Sequence, residues 1–403
     1  MATRLPAKTK YYTYTAATQL RFSRIINVLV IVQYLRFSLV EFSILQSVFL
    51  FSQFASELPS GLLGDLVKKK TVIMTGLIIL ICSPLLMATM MTTKSHLGFF
   101  MLLGVFILEG IGNALLSGAD DALFFEAMRN DGTPPTEYAK IRGRVQLAGA
   151  IATSVATVLG GVLYQYIKTL PYIFQSGFLL VALVVIGSIS EPTNIKTADT
   201  SKATNVISTL TVFKRMTHVP TVFFIFILSA FIMATINAVF SILPTYVSDL
   251  GYNPTANGVI FMVFSLFGGL MATQTYRLAK YGLRVLCMTV IAVLLVGGVF
   301  QVQTNSWLFL IGIALLYIVE DILDPLVMQV LNLWVEDNSR ATFISGLSFS
   351  ITLITMILNP IIGVLVQSFG MITSLVLALM FLIVILTSAY FVMIRPSEQE
   401  LKR

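Results

Sequence analysis

This sequence has little charge: only 11% of its 403 residues are Asp, Glu, Lys or Arg, where a soluble globular domain carries about 25%. So few charges cannot cover the surface of a water-soluble fold of this length. Cysteine is far scarcer, with two in the chain. Cys82 and Cys287 both lie inside apolar stretches, and their spacing gives neither a disulfide framework nor a metal site. The two histidines, His96 and His218, fall in breaks between apolar runs, and no His-Glu-x-x-His is present, so the pattern of a zinc hydrolase is missing. There is no Gly-x-x-x-x-Gly-Lys-Ser/Thr loop to cradle a nucleotide phosphate. No metal and no cofactor are expected, and an enzyme is not. The net charge of +7 comes from basic residues scattered through short breaks. No basic helix tracks phosphates, so nucleic acid is not an expected partner. The basic start, Met1 to Lys10, leads into no short apolar core with a small-residue cleavage site, and the first apolar helix is expected to be retained.

What the chain has instead is hydrophobic length: 57% hydrophobic residues and a mean hydropathy of +0.89. A helix of about 20 apolar residues crosses a hydrocarbon core of about 30 Å. Such runs recur at 14–37, 41–63, 71–92, 98–128, 141–167, 171–190, 220–247, 255–275, 283–303, 307–334, 341–367 and 371–394. The expectation is an all-α integral membrane protein of twelve transmembrane helices in two six-helix bundles, 1–190 and 220–403. The polar stretch 191–219, rich in Thr, Lys, Ser and Asn, reads as a cytoplasmic linker between them. With the N-terminus inside, the tails and the loops on that side hold 21 of the 26 Lys and Arg, against Arg36, Lys94 and Lys168 in the opposite loops. That asymmetry predicts cytoplasmic N- and C-termini. A weak internal match, Asp121-Ala-Leu-Phe-Phe-Glu126 against Asp324-Pro-Leu-Val-Met-Gln329 about half the chain later, points to two duplicated halves around a central cavity.

Ionisable residues at membrane depth cost about 2.5–3.5 kcal/mol each at a helix centre on insertion scales and are functional candidates for that reason. Glu109 falls about eleven residues into the fourth helix, roughly 16 Å at 1.5 Å per residue, near the bilayer midplane. Desolvation there penalises the charged form of a carboxylate, so Glu109 is the first candidate for a proton carrier. The bland alternative is a neutral Glu bonded to a neighbouring helix. Glu320, Asp321 and Asp324 lie within five residues of the tenth helix, with Glu320 and Asp324 on one face. They either hold protons or meet a cation. Arg21 and Arg24 in the first helix suit an anionic group or a partner such as Glu109, with snorkelling to the interface as the alternative.

Where the second helix ends, Glu57-Leu-Pro-Ser-Gly-Leu-Leu-Gly-Asp65-Leu-Val-Lys-Lys-Lys70 resembles the loop signature of the major facilitator superfamily, Gly-x-x-x-Asp-Arg-x-Gly-Arg-Arg/Lys. Gly61 and Asp65 match, Lys69 and Lys70 stand for the basic pair, and Leu66 and Lys68 depart from it. Leu20-Arg21-Phe22, Ser38 to Val48, Asp121 to Glu126 and Arg340 to Ser345 are similar to a branch of bacterial facilitators related to multidrug exporters. The resemblance implies alternating access by two bundles, with Asp65 in a cytoplasmic latch. Asp120, Asp121, Glu126 and Arg129 are assigned to the same gate, pairing with Lys68 to Lys70. In the fifth helix Gly160-Gly161 is present, but Ala156-Thr157 occupies the place of the exporters' Gly-Pro pair. The resulting expectation is proton-coupled export of an amphiphilic small molecule, with 29 Phe and 17 Met available to line an adaptable cavity. Import of a polar or anionic solute, for which Arg21 and Arg24 speak, stays open, as does a non-transporting sensor or scaffold. The partners expected are a small-molecule substrate, protons and the lipid bilayer, for a monomer in a bacterial inner membrane.

Overall fold

A computed structural model describes residues 6–93, 98–189, 220–272, 282–303, 305–334 and 337–400. It gives backbone alone at 58, 60–66, 135, 136, 139, 220–225, 272, 282–287, 321, 324–334, 337–345 and 389–400. The expected linker 191–219 lies outside the described residues. The regular elements among the described residues are all helices: α1 (Ala7–Gln19), α2 (Ile26–Val28, continuing as a π-helix over Leu29–Tyr34), α3 (Leu39–Leu66), α4 (Lys69–Thr93), α5 (Gly98–Leu116), α6 (Ala119–Asn130), α7 (Pro135–Tyr166), α8 (Leu170–Gly187), α9 (Pro220–Asp249), α10 (Pro254–Ala272), α11 (Gly282–Gln301), α12 (Ser306–Trp334), α13 (Asp337–Phe369) and α14 (Met371–Glu400). Nine stretches among the described residues are long and apolar enough to cross a bilayer, and Met288–Gln301 and Ser306–Glu320 are shorter apolar helices. With the broken first helix they make the twelve spans, in positions that match the apolar runs of the sequence.

Two spans differ from the sequence expectation. The first is not one helix over 14–37: α1 ends at Gln19, residues 20–25 are non-helical, and α2 resumes at Ile26. Arg21 and Arg24 therefore sit in a break and not on a helix. Backbone groups freed inside a membrane must find partners, and here other helices supply them. Gln175 Oε1 of α8 accepts from Ser23 N at 3.1 Å and from Ser23 Oγ at 2.8 Å, and Thr153 Oγ1 of α7 donates to Gln19 O at 3.4 Å. The fourth span breaks at Ser117–Gly118, where Gly118 takes φ +75°, a left-handed turn that separates α5 from α6.

The described chain divides into two compact units. The first comprises Met1–Phe37, Ile44–Lys202 and Val247–Met262, and the second Ser38–Ser43, Ala203–Tyr246 and Val263–Arg403. In the first unit α4 packs on α5 and α8, and α1 packs on α7 and α8. In the second, α11 packs on α12 and α14. The α4–α5 crossing brings glycines face to face: a Cβ on Gly112 would lie 3.2 Å from Gly76 O, and one on Gly76 would lie 3.1 Å from Gly112 O. The α11–α12 crossing repeats the device, with a Cβ on Gly312 at 2.7 Å from Gly297 O. Without water to drive helices together, close backbone approach at small residues supplies the packing energy. The same solution at the third-to-fourth and ninth-to-tenth spans is what duplicated halves would leave.

Candidate functional site

In the first unit Arg21, at the break after α1, donates from Nη2 to Asn113 Oδ1 of α5 at 2.6 Å. Asn113 Nδ2 in turn donates to Glu109 O one turn back, at 2.7 Å. Glu109 and Arg21 lie within electrostatic reach of each other, with Arg24 and Tyr14 acting on Arg21 as well, though no ion pair joins Glu109 to Arg21 among the described residues. Arg21 is half-buried and Arg24 exposed. The Glu109 carboxyl has no hydrogen-bond partner among the described residues. It faces a small cavity lined by Ser23, Asn27, Ser83, Tyr172 and Gln175 along with apolar side chains. Tyr172 OH donates to Asn27 Oδ1 at 2.9 Å, and Ser83 Oγ donates to Val105 O at 2.9 Å. Glu109 and Arg21 are thus brought together, at a polar spot inside an apolar bundle.

The acidic residues of α6 face α1 and α7 more than the Lys68 to Lys70 segment. Tyr11 OH donates to Asp121 Oδ1, Arg142 Nη2 of α7 pairs with Asp121 Oδ2 at 2.5 Å, and Tyr14 OH donates to Asp120 Oδ2 at 3.2 Å. The Tyr11 ring stacks on Phe124 with centroids 4.5 Å apart. Of the predicted gate residues, Lys69 and Glu126 do meet as an ion pair, while Lys70 Nζ caps carbonyls at the end of α8, Gly187 O at 2.5 Å and Ile189 O at 2.8 Å. Arg129 is exposed at the end of α6. Burial, with the Asp121 carboxylate second, pushes the Tyr138 phenol up from its ordinary value, so its hydroxyl stays a donor, reaching Asp121 O at 3.4 Å. Gly61 and Asp65 lie on the last turns of α3, and their side chains fall outside the described residues, as do those of Asp321, Asp324 and Arg340. Two outcomes follow for this cluster. Asp121→Asn, which weakens the two carboxylate contacts to Tyr11 and Arg142 at once, is expected to lower stability by about 1–3 kcal/mol, read as a fall in the thermal midpoint of the purified protein. Lys69→Ala removes one half-exposed ion pair and is expected to cost less than about 1 kcal/mol.

In the second unit Glu320 stands one turn from Tyr317 on α12. The Tyr317 ring stacks on Phe240 of α9 with centroids 3.9 Å apart and planes 15° apart, and Phe264 of α10 approaches it at 5.5 Å. Asn237, one turn before Phe240, is exposed between buried neighbours on α9. A carboxyl beside an aromatic platform is chemistry for an amphiphilic cation. Sequence reasoning found Glu320 and missed Tyr317, Phe240 and Asn237. Their spacing to each other, three residues within a helix, was the only signal.

The chain matches the Major Facilitator Superfamily over residues 15–302, well over half its length. The chain belongs to that superfamily. No curated protein sequence matches it. Among solved structures, the nucleoside transporter NupG superposes with a TM-score of 0.78 at 12% identity, covering 96% of this chain and 98% of that one. A bacterial homologue of the iron transporter ferroportin in an inward-facing state gives 0.71 at 13% identity, over 95% and 98%. A bacterial homologue of the lysosomal transporter Spinster, inward-facing and occupied, gives 0.72 at 15% identity, over 96% of each. At such identities the likeness establishes the fold. This superfamily member is a multi-pass membrane transporter of a small-molecule substrate and not an enzyme.

Proposed function

We propose that the chain is a proton-coupled exporter of amphiphilic small molecules, working as a monomer by alternating access between bundles 1–190 and 220–403 joined by 191–219. The observation that carries proton coupling is the Glu109 carboxyl facing a polar cavity inside an apolar bundle, within reach of Arg21. Protonation of Glu109 would release Arg21 from its counter-charge and free the break at residues 20–25 to rearrange. Glu320, with Asp321 and Asp324, would receive the substrate's positive charge on the Tyr317–Phe240 platform. The Lys69–Glu126 pair, Lys70, Asp121, Gly61 and Asp65 would hold the cytoplasmic side closed in one state, with both termini cytoplasmic in a bacterial inner membrane. The side chains at the far end of the spans, Gln33 to Asp249 at 3.4 Å and Thr255 to Gln165 at 3.0 Å, would close the outer side in the other.

A second reading, import of an anionic solute, is favoured by Arg21 and Arg24 together in a helix break, since broken membrane helices are where transporters of this kind bind ligand. The test is accumulation by reconstituted vesicles under an imposed pH gradient, using tetraphenylphosphonium, a neutral dye and an organic anion as probes. Gradient-driven movement of tetraphenylphosphonium, reduced roughly tenfold in Glu320→Gln and in Tyr317→Ala, supports export. Movement of the anion alone, abolished in Arg24→Gln, transfers the assignment to the second reading.

A further inference from the structure

The cavity beside Glu109 has about 10 Å³ of room for the centre of a water molecule, the size of a single water site, and such a site needs two to four polar partners. They are there. Ser23 Oγ and Ser83 Oγ each donate elsewhere and keep acceptor capacity for a further donor. Asn27 Oδ1 accepts from Tyr172 and has capacity for one donor more. Polar groups continue from the cavity toward one end of the first unit. Tyr172 is within electrostatic reach of both Glu109 and Tyr164, and Tyr164 of Tyr34. Lys168 Nζ lies over the Tyr164 ring at 4.1 Å. Tyr34 is 38% exposed, whereas Tyr164 and Tyr172 are buried. In the other direction the file runs from Glu109 through Asn113 and Arg21 to Tyr14 and Asp120.

We infer that this cavity holds one water that hands protons to Glu109 from the Tyr34–Lys168 end, so that proton loading runs inside one unit. The inference rests on Glu109 being the proton carrier. In the step, a hydronium at the water site gives its extra proton to the Glu109 carboxylate, leaving water and a neutral carboxyl. The proton comes from bulk solvent, and Tyr172 and Asn27 keep their charge throughout. Both are positioning residues, since they orient the water without exchanging protons themselves. The charged and titratable groups near Glu109 are Arg21, on which the exposed Arg24 also acts, and Tyr172 of α8. From α4 it meets Ser83, Pro84 and Met87, and α3 packs on its neighbour Gly110 through Phe49, Ser52 and Gln53. Thus one cation and one phenol are the charged and titratable groups near Glu109, and the water sets the rate at which its carboxyl is reached.

The test is a pH jump on the full chain in lipid nanodiscs, followed by infrared difference spectroscopy of the carboxyl band that Glu109→Gln removes. In Tyr172→Phe and Asn27→Leu the band is expected to remain, which also shows that the variants fold, while its relaxation slows roughly tenfold or more. Tyr14→Phe, at the other end of the file, is expected to leave that rate unchanged. Unaltered relaxation in both cavity variants overturns the water relay and leaves Glu109 as carrier. Slowing in Tyr14→Phe alone overturns it as well, because the proton then arrives from the opposite end. Absence of any Glu109-dependent band that titrates removes the carrier and the relay together.

Discussion

Glu109→Gln is expected to bring pH-gradient-driven accumulation of tetraphenylphosphonium in reconstituted vesicles down to the level of empty vesicles, while exchange of the same probe at equal pH on both sides continues. Glutamine has the size of a protonated glutamic acid and keeps the α5 backbone bond to Asn113, so the fold has no reason to fail. It cannot release a proton, so one of the two charge states needed for coupling is gone. Arg21 then loses the carboxylate it faces but keeps Asn113 at 2.6 Å. The pH dependence of exchange in the wild type is expected to flatten in the variant, because a glutamine side chain has no proton to exchange with solvent. A variant that still concentrates the probe against its gradient sinks the proposed carrier, and Glu320, Asp321 and Asp324 become the next group to test. Loss of both accumulation and exchange would mean that the side chain is needed for the movement itself and not for its coupling.

The twelve spans were legible because lipid imposes a crude rule, a long apolar run for each crossing, and because few charges interrupt it. The two breaks were not equally legible. Gly118 with its positive φ is a residue that a careful reader can mark as a breaker. Residues 20–36 contain neither glycine nor proline, and nothing local predicts that a helix should stop at Gln19 and resume at Ile26. That break is held from outside, by Gln175, by Thr153 and by the bare backbone of Gly160, partners 130 residues and more away in sequence. The site divides along the same line. A carboxylate at membrane depth announces itself by its cost, so Glu109, Glu320 and Arg21 could be picked out one by one. Their partners could not, because Asn113, Asn27, Tyr172 and Phe240 are ordinary residues whose role comes from which helix faces which. The acidic pair on α6 illustrates the difference: spacing alone offered Lys68 to Lys70 as partners, and the tertiary fold gives Asp121 to Tyr11 and Arg142 and Asp120 to Tyr14.

Gly160→Val and Gly161→Val, adjacent changes of identical chemistry, are expected to fail in different ways. A Cβ on Gly160 would lie 2.1 Å from Phe22 O, inside the break that carries Arg21 and Arg24. Neither the carbonyl nor the α7 backbone can give way there without releasing the contacts of Gln175 and Thr153. Overpacking of this kind costs about 1–3 kcal/mol or more, and the variant is expected to show a lowered thermal midpoint and poor recovery from the membrane. A Cβ on Gly161 points elsewhere, 2.2 Å from Pro254 O, at the start of α10. One turn earlier on α7, Thr157 O lies 2.6 Å from where a Cβ on Gly258 would be, so α7 and α10 touch backbone to backbone along a whole turn. Pushing α10 away there breaks the Thr255–Gln165 bond and leaves the Phe22 contact alone. Gly161→Val is therefore expected to keep most of the thermal stability and to lose gradient-driven transport, with a cysteine placed at Thr255 turning reactive to a membrane-impermeant maleimide. Gly161→Ser is the milder companion, because it sets the same Cβ against Pro254 O but adds one heavy atom beyond it where valine adds two. If the Gly161 variants transport normally and leave position 255 as protected as in the wild type, the seam between α7 and α10 is packing alone. If instead they unfold as Gly160→Val does, the seam is part of the unit's core and not a surface that parts in the cycle.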